Sequence, residues 1–291
     1  MLRVSVVAHT VAGILRLRHL QGDHVTKSRI AVQIHPQHAD YSDIRRAAAT
    51  AEELGVDVLY NWDHFYPLYG GEEYSDADGA ENIGKHFECW TMLGAWAEAT
   101  EEIKIGALVT CNSYRNPQLL ADMARTVDAM SGGRLIFGIG SGWFEKDYDE
   151  YGYEFGTAGG RLRSLDAAMP IIKARLAELD PQPAGALPIL IGGGGEKVTL
   201  RIVAEYADIW HGFGNVDTFT RKMNILDEHC ANVGRNPADI ERSVGVQAKK
   251  IEVADALREV GAVEFTIGLN GPDYDFEPVK DWLAWRDEVN Q

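Results

Sequence analysis

The sequence reads PILIGGGGEKVTLRIVAEYADIWH from residue 188 to residue 211. Short apolar runs at 188–191 and 208–211 have the length and composition of β-strands. Between them, apolar residues recur at helical spacing: Leu200, Val203, Ala204 and Ala207. A strand, a helix and a second strand in this order predict two parallel strands joined by a right-handed crossover.

The same alternation runs through the chain from residue 29 onward. The predicted strands are 30–34, 56–60, 103–109, 135–139, 188–191, 208–211, 242–246 and 263–268. Eight strand–helix units predict an α/β fold, a closed (β/α)8 TIM barrel, with an open doubly wound sheet as the alternative. Closure is favoured because the long polar connections, 61–88 and 141–160, follow the carboxyl ends of strands, where barrel enzymes have their active sites.

Composition narrows the possible functions. The 291 residues include 28 Lys and Arg against 44 Asp and Glu, a net charge of −16 that repels nucleic acid and anionic lipid. No apolar run has the length of a transmembrane helix. The three cysteines are too few and too separated for a disulfide framework or a paired zinc motif, and they fit a reducing compartment. We therefore expect a cytoplasmic protein that binds neither nucleic acid nor membrane.

The first residues differ from this acidic body. Three arginines and no acid precede Asp23, and the apolar stretch there lacks the small-residue cleavage site of a secretory signal. We expect residues 1–28 to be an extension outside the fold and residues 29–291 to form a single (β/α)8 catalytic domain.

Four consecutive glycines, Gly192, Gly193, Gly194 and Gly195, follow the fifth predicted strand and precede a helix. Glycine lets the backbone approach a ligand closely, and the N–H groups at a helix start attract phosphate, so this loop predicts a phosphate site. The alternative is a tight turn, although one or two glycines would suffice for that. The spacing of a Walker loop is absent.

A second glycine-containing turn, GIGSGWF at 138–144, follows the fourth predicted strand. Its spacing differs from that of a dinucleotide-binding fingerprint, and Ser141 lacks the sequence frame of a hydrolase nucleophile. We interpret 143–151 as an acidic loop, and we expect the turn to admit the close approach of a flat ring.

His64 and Asp63 follow the second predicted strand. At the rim of a barrel this pair is suited to proton transfer, with His64 as the donor and Asp63 orienting it; the alternative is a histidine that only pins the loop. Glu88 is either a charge at a helix start or a carboxylate in the pocket. Because His35 and His38 have no third ligand at a recognisable spacing, we expect no metal site.

Few cations lie near the predicted rim. Arg115, Arg161 and Lys197 are available to offset the charge of an anionic ligand. The acidic run at 72–81 is expected to be a solvated lid.

Five motifs in order resemble the luciferase-like monooxygenase superfamily, and more narrowly its coenzyme F420-dependent oxidoreductases. They are NWDHF at 61–65, VTCNSYRNP at 109–117, SGGRL at 131–135, GIGSGWF at 138–144 and IGGGGEK at 191–197. The resemblance implies a barrel that binds a deazaflavin or a flavin at its carboxyl-terminal rim. It also implies a non-proline cis peptide near 108–110, beneath the ring.

The resemblance further implies which residues meet the cofactor. Those around the ring are Leu108, Val109, Thr110, Asn112, Gly140, Ser141, Gly142 and Trp143, with Arg161 near the tail and Gly192 to Gly195 at the phosphate. The sugar-phosphate dehydrogenase of the superfamily has tryptophan and glutamate where this chain has Leu68 and Trp143. Glucose 6-phosphate is therefore not expected as the substrate.

The resemblance implies a homodimeric oxidoreductase that transfers hydride between coenzyme F420 and a small organic substrate, and the catalytic candidates are His64, Asp63 and Glu88. One alternative is a two-component FMN-dependent monooxygenase that uses dioxygen and a reductase partner. Another is a flavin-binding protein without catalysis. Trp62, Tyr66, Trp143 and Phe144 favour an apolar or aromatic substrate if they face the pocket.

Overall fold

The structure is a computed structural model that describes residues 27–68 and 84–291. The acidic run at 72–81 and residues 1–26 of the expected N-terminal extension lie outside the described residues. Ser28 is buried, and its backbone N–H donates to the Asn290 side chain near the end of the last helix, at 2.8 Å.

The strands form one closed parallel sheet. They are β1 (Arg29–Ile34), β2 (Val58–Asn61), β3 (Lys104–Ala107), β4 (Thr110–Cys111), β5 (Leu135–Gly140), β6 (Ile189–Gly192), β7 (Ile209–Gly212), β8 (Glu241–Val246) and β9 (Glu264–Leu269). The order β3-β2-β1-β9-β8-β7-β6-β5-β4 closes through an additional β3–β5 pairing. Because β3 and β4 are two halves of one predicted strand, the predicted eight-stranded barrel is confirmed.

Helices surround this sheet. Within the described residues they are α1 (Tyr41–Glu53), α2 (Cys89–Ala99), α3 (Pro117–Met130), α4 (Glu145–Tyr151), α5 (Ala158–Glu178), α6 (Thr199–Tyr206), α7 (Val216–Val233), α8 (Ala254–Glu259) and α9 (Glu277–Val289). None of these described helices combines the length and apolar character needed to cross a bilayer. The Asn116 side chain caps the start of α3, and Asp40 is the N-cap residue of α1.

The acidic segment at 143–151, predicted as a loop, contains helix α4. Its exposed positions include Asp149 and Glu150, and the residues it buries are Asp147 and Tyr148. The prediction was wrong because an apolar stripe marks a helix only when the buried side chains are apolar. Here the buried side of the helix carries a carboxylate.

The third predicted strand, 103–109, is interrupted rather than continuous. Gly106 pairs with Ile136, and Thr110 pairs with Ile139. The chain therefore advances by four residues from Gly106 to Thr110 while β5 advances by three. One extra residue of this kind is a β-bulge, which redirects the chain. The Leu108–Val109 peptide within the bulge is cis, as the resemblance implies.

Glycines on the adjacent strands make room for this bulge. A Cβ on Gly138 would overlap the Ala107 carbonyl oxygen, and a Cβ on Gly140 or Gly192 would meet the Val109 side chain at 2.7 or 2.9 Å. The bulge can therefore lean into the barrel mouth only because these positions lack side chains.

The inside of the barrel has an apolar layer and a polar layer. The apolar layer consists of Ala31, Val58, Tyr60, Leu108, Ile136, Leu190 and Ile209. The polar layer includes Glu264, which is fully buried and receives hydrogen bonds from Tyr60 at 3.2 Å, Ser243 at 2.9 Å and Arg29 at 3.1 Å. Buried charges of this kind are tolerated when they are paired and hydrogen-bonded.

Candidate active site

A large cavity lies at the carboxyl ends of the strands and has a volume of about 1220 Å³. Ligand pockets of drug-sized molecules commonly measure roughly 300–1,000 Å³, so this cavity has room for a cofactor together with a second small molecule. Its walls come from the bulge, the two glycine turns and the loops after β2 and β7.

His64 lines this cavity and is held by a carboxylate. Its Nδ1 lies 2.7 Å from Asp147 Oδ2, and Asp147 is fully buried. Asp147 also accepts from Tyr114 OH at 2.9 Å and from the backbone N–H groups of Phe65 and Tyr66 at 3.1 and 3.2 Å. Burial raises the pKa of the Tyr114 phenol, so Tyr114 stays a hydrogen-bond donor.

The expectation that Asp63 orients His64 was therefore wrong. Asp63 is buried, and its carboxylate forms an ion pair with Arg115 at 2.5 Å; Arg115 also binds Glu88 at 2.6 Å. Burial of Arg115 disfavours its charged form, but the two carboxylates outweigh this and raise its pKa. Asp63, the neighbour of His64 in the sequence, is therefore paired with Arg115. Asp147, which is distant from His64 in the sequence, forms the hydrogen bond with it.

Asp63 instead fastens the bulge. Its Oδ2 accepts from the Thr110 hydroxyl at 2.6 Å and from the Cys111 N–H at 3.0 Å, directly after the cis peptide. On the other side, the Gln33 amide donates to the Leu108 carbonyl at 2.6 Å. Asp63 and Gln33 line the cavity, and both act on the segment that forms part of its wall.

Glu88 is the N-cap of α2. It accepts from the N–H groups of Trp90 at 3.2 Å and Thr91 at 2.7 Å. Although burial alone would raise the pKa of the Glu88 carboxyl, these N–H groups and Arg115 lower it. These contacts are those of a charge at a helix start, the first of the two interpretations of Glu88. Glu88 is not among the described residues that line the cavity.

The four-glycine loop has the features of an anion site. Gly193 has a φ of 128°, which only glycine adopts without strain. The N–H groups of Gly194 and Gly195 donate to no acceptor within residues 27–68 and 84–291. The ammonium of Lys222, from α7, lies against Gly194, and no carboxylate of these described residues pairs with it.

This donor set fits the phosphate of a flavin or deazaflavin cofactor. Free N–H groups and a nearby cation are what a phosphate requires, and Thr199 of α6 lines the cavity beside the loop. Lys197, the cation expected from the sequence, is exposed, and it is Lys222 that contacts the loop. No sequence pattern indicated Lys222, because it lies 28 residues after Gly194, on a different helix.

The turn after β5 forms another part of the cavity wall. Trp143 is 60% exposed at the rim, and its ring lies 5.7 Å from that of His64, edge to face. Arg161 donates to the Gly142 carbonyl at 3.2 Å and lies over the Phe155 ring at 3.8 Å. Arg161 therefore stabilises the turn through these contacts and also places a positive charge at the cavity.

Most of the cofactor-binding candidates do meet in one place. Those that line the cavity are Leu108, Val109, Thr110, Gly140, Ser141, Gly142, Trp143, Arg161, Gly192, Gly193 and Gly194. Asn112 and Gly195 are not among the described lining residues. Asn112 belongs to the short 3-10 turn that follows β4, and its side chain is buried. No group of three or more His, Cys, Asp or Glu within the described part of the chain is arranged to hold a metal.

The sequence profile of the luciferase-like monooxygenases matches residues 20–260. The phthiodiolone/phenolphthiodiolone dimycocerosates ketoreductase of Mycobacterium tuberculosis is 26% identical over 258 residues, which cover 78% of this chain and 67% of the relative.

Solved structures with the same fold include enzymes that use different cofactors. An F420-dependent secondary alcohol dehydrogenase, in complex with an F420–acetone adduct, superposes with a TM-score of 0.73 at 18% identity, covering 88% of this chain and 98% of the other. The oxygenating constituent of 3,6-diketocamphane monooxygenase from Pseudomonas putida, in complex with FMN, gives 0.65 at 14% identity, covering 91% and 97%. At these identities the likeness concerns the fold.

Proposed function

Because this chain belongs to the luciferase-like monooxygenase family, we propose that it is an oxidoreductase that transfers hydride between coenzyme F420 and the carbonyl or secondary alcohol group of a small organic substrate. The observation that carries the proposal is the His64–Asp147 pair in the wall of a cavity that also contains an anion-binding glycine loop. Bound coenzyme F420 would supply or accept the hydride. The remaining chemistry is that of the chain's own residues.

Reduction of a ketone adds hydride to the carbonyl carbon and a proton to the carbonyl oxygen. His64 is suited to deliver that proton, because Asp147 holds its Nδ1 and leaves Nε2 as the exchangeable position. The buried carboxylate also stabilises the protonated imidazole that forms when the reaction runs from alcohol to ketone. The rings of Trp62, Trp143 and Phe144 lie around the His64 imidazole, with centroids within 6.1 Å of it, and limit the access of water to it.

The cofactor phosphate would bind at the free N–H groups of Gly194 and Gly195, with Lys222 supplying the positive charge. In a chain with a net charge of −16, a local cation is needed to offset the repulsion of an anionic ligand. The ring would lie against Val109 of the bulge, and Trp143 and Arg161 would border it.

We prefer F420 to FMN because of two relatives. One is named a ketoreductase, and the other is an F420-dependent secondary alcohol dehydrogenase; both names describe the interconversion of a carbonyl and an alcohol. The alternative, an FMN-dependent monooxygenase, is favoured by the structural likeness to a monooxygenase in complex with FMN.

The first experiment titrates the purified protein separately with F420 and FMN and follows fluorescence. We expect tighter binding of F420, followed by reduction of F420 on addition of a secondary alcohol. Tighter binding of FMN together with oxygen uptake in the presence of reduced FMN would support the monooxygenase instead. Replacement of His64 by Gln should abolish turnover and spare cofactor binding. An unsubstituted protein that binds a cofactor but turns over no alcohol or ketone, and in which His64→Gln changes only cofactor affinity, would instead be a non-catalytic flavin-binding protein.

The second experiment tests the phosphate site. We expect Lys222→Ala to weaken the binding of FMN roughly tenfold while leaving that of riboflavin, which lacks the phosphate, unchanged. Lys197→Ala is the matched control, because Lys197 is an exposed cation next to the same loop. Equal losses for FMN and riboflavin would show that Lys222 does not act on the phosphate.

The remaining features of the proposal concern the chain as a whole. We propose that residues 29–291 form one catalytic domain, that the enzyme is a homodimer and that it is cytoplasmic. The three cysteines, Cys89, Cys111 and Cys230, are free and buried, in keeping with a reducing compartment.

A further inference from the structure

His211 faces the cavity from the side of the barrel opposite His64. His211 lies on β7, the sixth barrel strand, whereas His64 follows β2, the second. Ile209, two residues before it, belongs to the interior apolar layer, so His211 also points inward. His211 is 1% exposed and lines the cavity.

Hydrogen bonds on adjacent strands fix the tautomer of His211. Ser243 Oγ lies 2.8 Å from His211 Nδ1 and donates to Glu264 Oε1 at 2.9 Å. Arg29 donates to the other oxygen of Glu264 at 3.1 Å, so both carboxyl oxygens of Glu264 act as acceptors. Since Ser243 uses its one proton toward Glu264, the hydrogen on the shared bond must come from His211 Nδ1. His211 Nε2 is therefore a bare lone pair.

That lone pair has no partner in the protein. Among residues 27–68 and 84–291, no group forms a hydrogen bond with His211 Nε2, although the atom is buried. A buried polar atom without a partner costs about 1–3 kcal/mol, so such atoms call for an explanation. Burial lowers the pKa of His211 to about 3, so the ring stays neutral and accepts rather than donates.

The surroundings of Nε2 keep it open toward the cavity. Gly245, on the neighbouring strand β8, also lines the cavity, and a Cβ there would lie 3.6 Å from Nε2. The Phe213 ring stands edge to face with the imidazole at 4.8 Å and is 63% exposed at the rim. Because the neighbouring ring is apolar, a donor to this lone pair has to come from what occupies the cavity.

We propose that His211 Nε2 is a fixed hydrogen-bond acceptor for an N–H or O–H group of the bound ligand, and that Ser243 and Glu264 are positioning residues that hold it in that state. The ligand part of this inference rests on the proposed function. Two groups there have the required chemistry: the ring N–H of a flavin-type cofactor, and the hydroxyl of an alcohol substrate. His64 and His211 then have different roles. His64 has a carboxylate partner and exchanges a proton, whereas His211 only accepts a hydrogen bond.

The tautomer is tested without any ligand. In protein labelled with ¹⁵N-histidine, the His211 ring, identified by its loss in His211→Gln, should show a protonated Nδ1 and an unprotonated Nε2 at neutral pH. Ser243→Ala should remove this preference while the other histidine signals stay unchanged. A protonated Nε2 in the unsubstituted protein overturns the proposal.

The ligand contact is tested with F420 and FMN as probes. Glutamine can place a carbonyl oxygen near the Nε2 position, whereas the shorter asparagine cannot reach it, so His211→Gln should retain the contact that His211→Asn loses. We expect His211→Asn to weaken cofactor binding roughly tenfold if the donor is on the ring. If the donor is on the substrate, KM for a secondary alcohol should rise while cofactor binding stays unchanged.

Other outcomes separate this inference from the proposed function. If the unsubstituted protein binds neither F420 nor FMN, the proposed function fails, and the tautomer measurement still tests the fixed acceptor. If it binds and turns over, and His211→Asn and His211→Gln both match it in affinity and KM, the inference about His211 fails alone.

Discussion

Replacement of Asp147 by asparagine tests the central arrangement of the site. The substitution keeps the size of the side chain and leaves Oδ1 to accept from the two backbone N–H groups at 3.1 and 3.2 Å. At Oδ2 an N–H₂ group takes the place of an acceptor for His64 at 2.7 Å and Tyr114 at 2.9 Å. Tyr114 can turn its hydroxyl to accept. His64 can adapt only by giving up the proton on Nδ1.

The magnitude follows from these contacts. Two charge-assisted hydrogen bonds become neutral ones, which lowers the free energy of unfolding by about 2–4 kcal/mol. The imidazole then carries its hydrogen on Nε2 and has no carboxylate to stabilise its protonated form. We expect kcat/KM to fall by roughly 10²–10⁴, with cofactor affinity unchanged.

The assay combines turnover with secondary alcohols, denaturant unfolding and ¹⁵N spectra of His64. Asp149→Asn is the matched control: this residue lies on the same helix, is exposed, and should change stability by less than about 0.5 kcal/mol. Asp63→Asn breaks the ion pair with Arg115 and should destabilise the fold without altering the tautomer of His64. A tautomer that responds to Asp63→Asn and ignores Asp147→Asn would refute the reasoning.

Two further predictions concern stability. Gly138→Ala places a methyl group against a backbone carbonyl of the bulge and should lower the free energy of unfolding by about 3 kcal/mol or more. The control, Gly94→Ala, lies on a helix with 3.7 Å of clearance and should raise the free energy of unfolding by about 0.5–1 kcal/mol. Equal effects of the two substitutions in chemical denaturation would contradict this account. Burial is the main cause that lowers the pKa values of His35 and His86 from 6.5 to about 4 and that of His211 to about 3. Between these values and 6.5, the unfolded chain therefore binds more protons than the native state. Stability should be fully retained above about pH 6.5 and fall toward pH 4 by about 1.4 kcal/mol per unit for each histidine; if His211→Gln leaves that slope unchanged, the assignment is wrong.

The barrel could be predicted because its determinants are local. Each strand is a short apolar run, and each helix has an apolar stripe, so counting the alternations sufficed to give the fold. The glycine loop at 192–195 and the turn at 140–143 were also predictable, since close approach of the backbone leaves a direct mark in the sequence as glycine.

The electrostatic partners could not be predicted in the same way. Asp63 is adjacent to His64 in the sequence, yet side chains of consecutive residues diverge, and Asp63 reaches Arg115 of the next strand–helix unit instead. Asp147 approaches His64 from 83 residues away. Lys222, Ser243 and Glu264 likewise depend on which strands and helices are neighbours in the closed sheet. Such pairings follow from the three-dimensional fold, and single-sequence patterns do not contain them.

The short helix α4 has a consequence for how this protein can change over evolutionary time. It stands between β5 and α5, outside the closed sheet, and it supplies both the anion behind the reactive imidazole and, through the residues just before it, the aromatic cover of the mouth. Connecting segments accumulate insertions and replacements far more readily than the strands they join. Replacement of this one segment in a descendant would retune proton affinity and guest size in a single event, with the scaffold left intact.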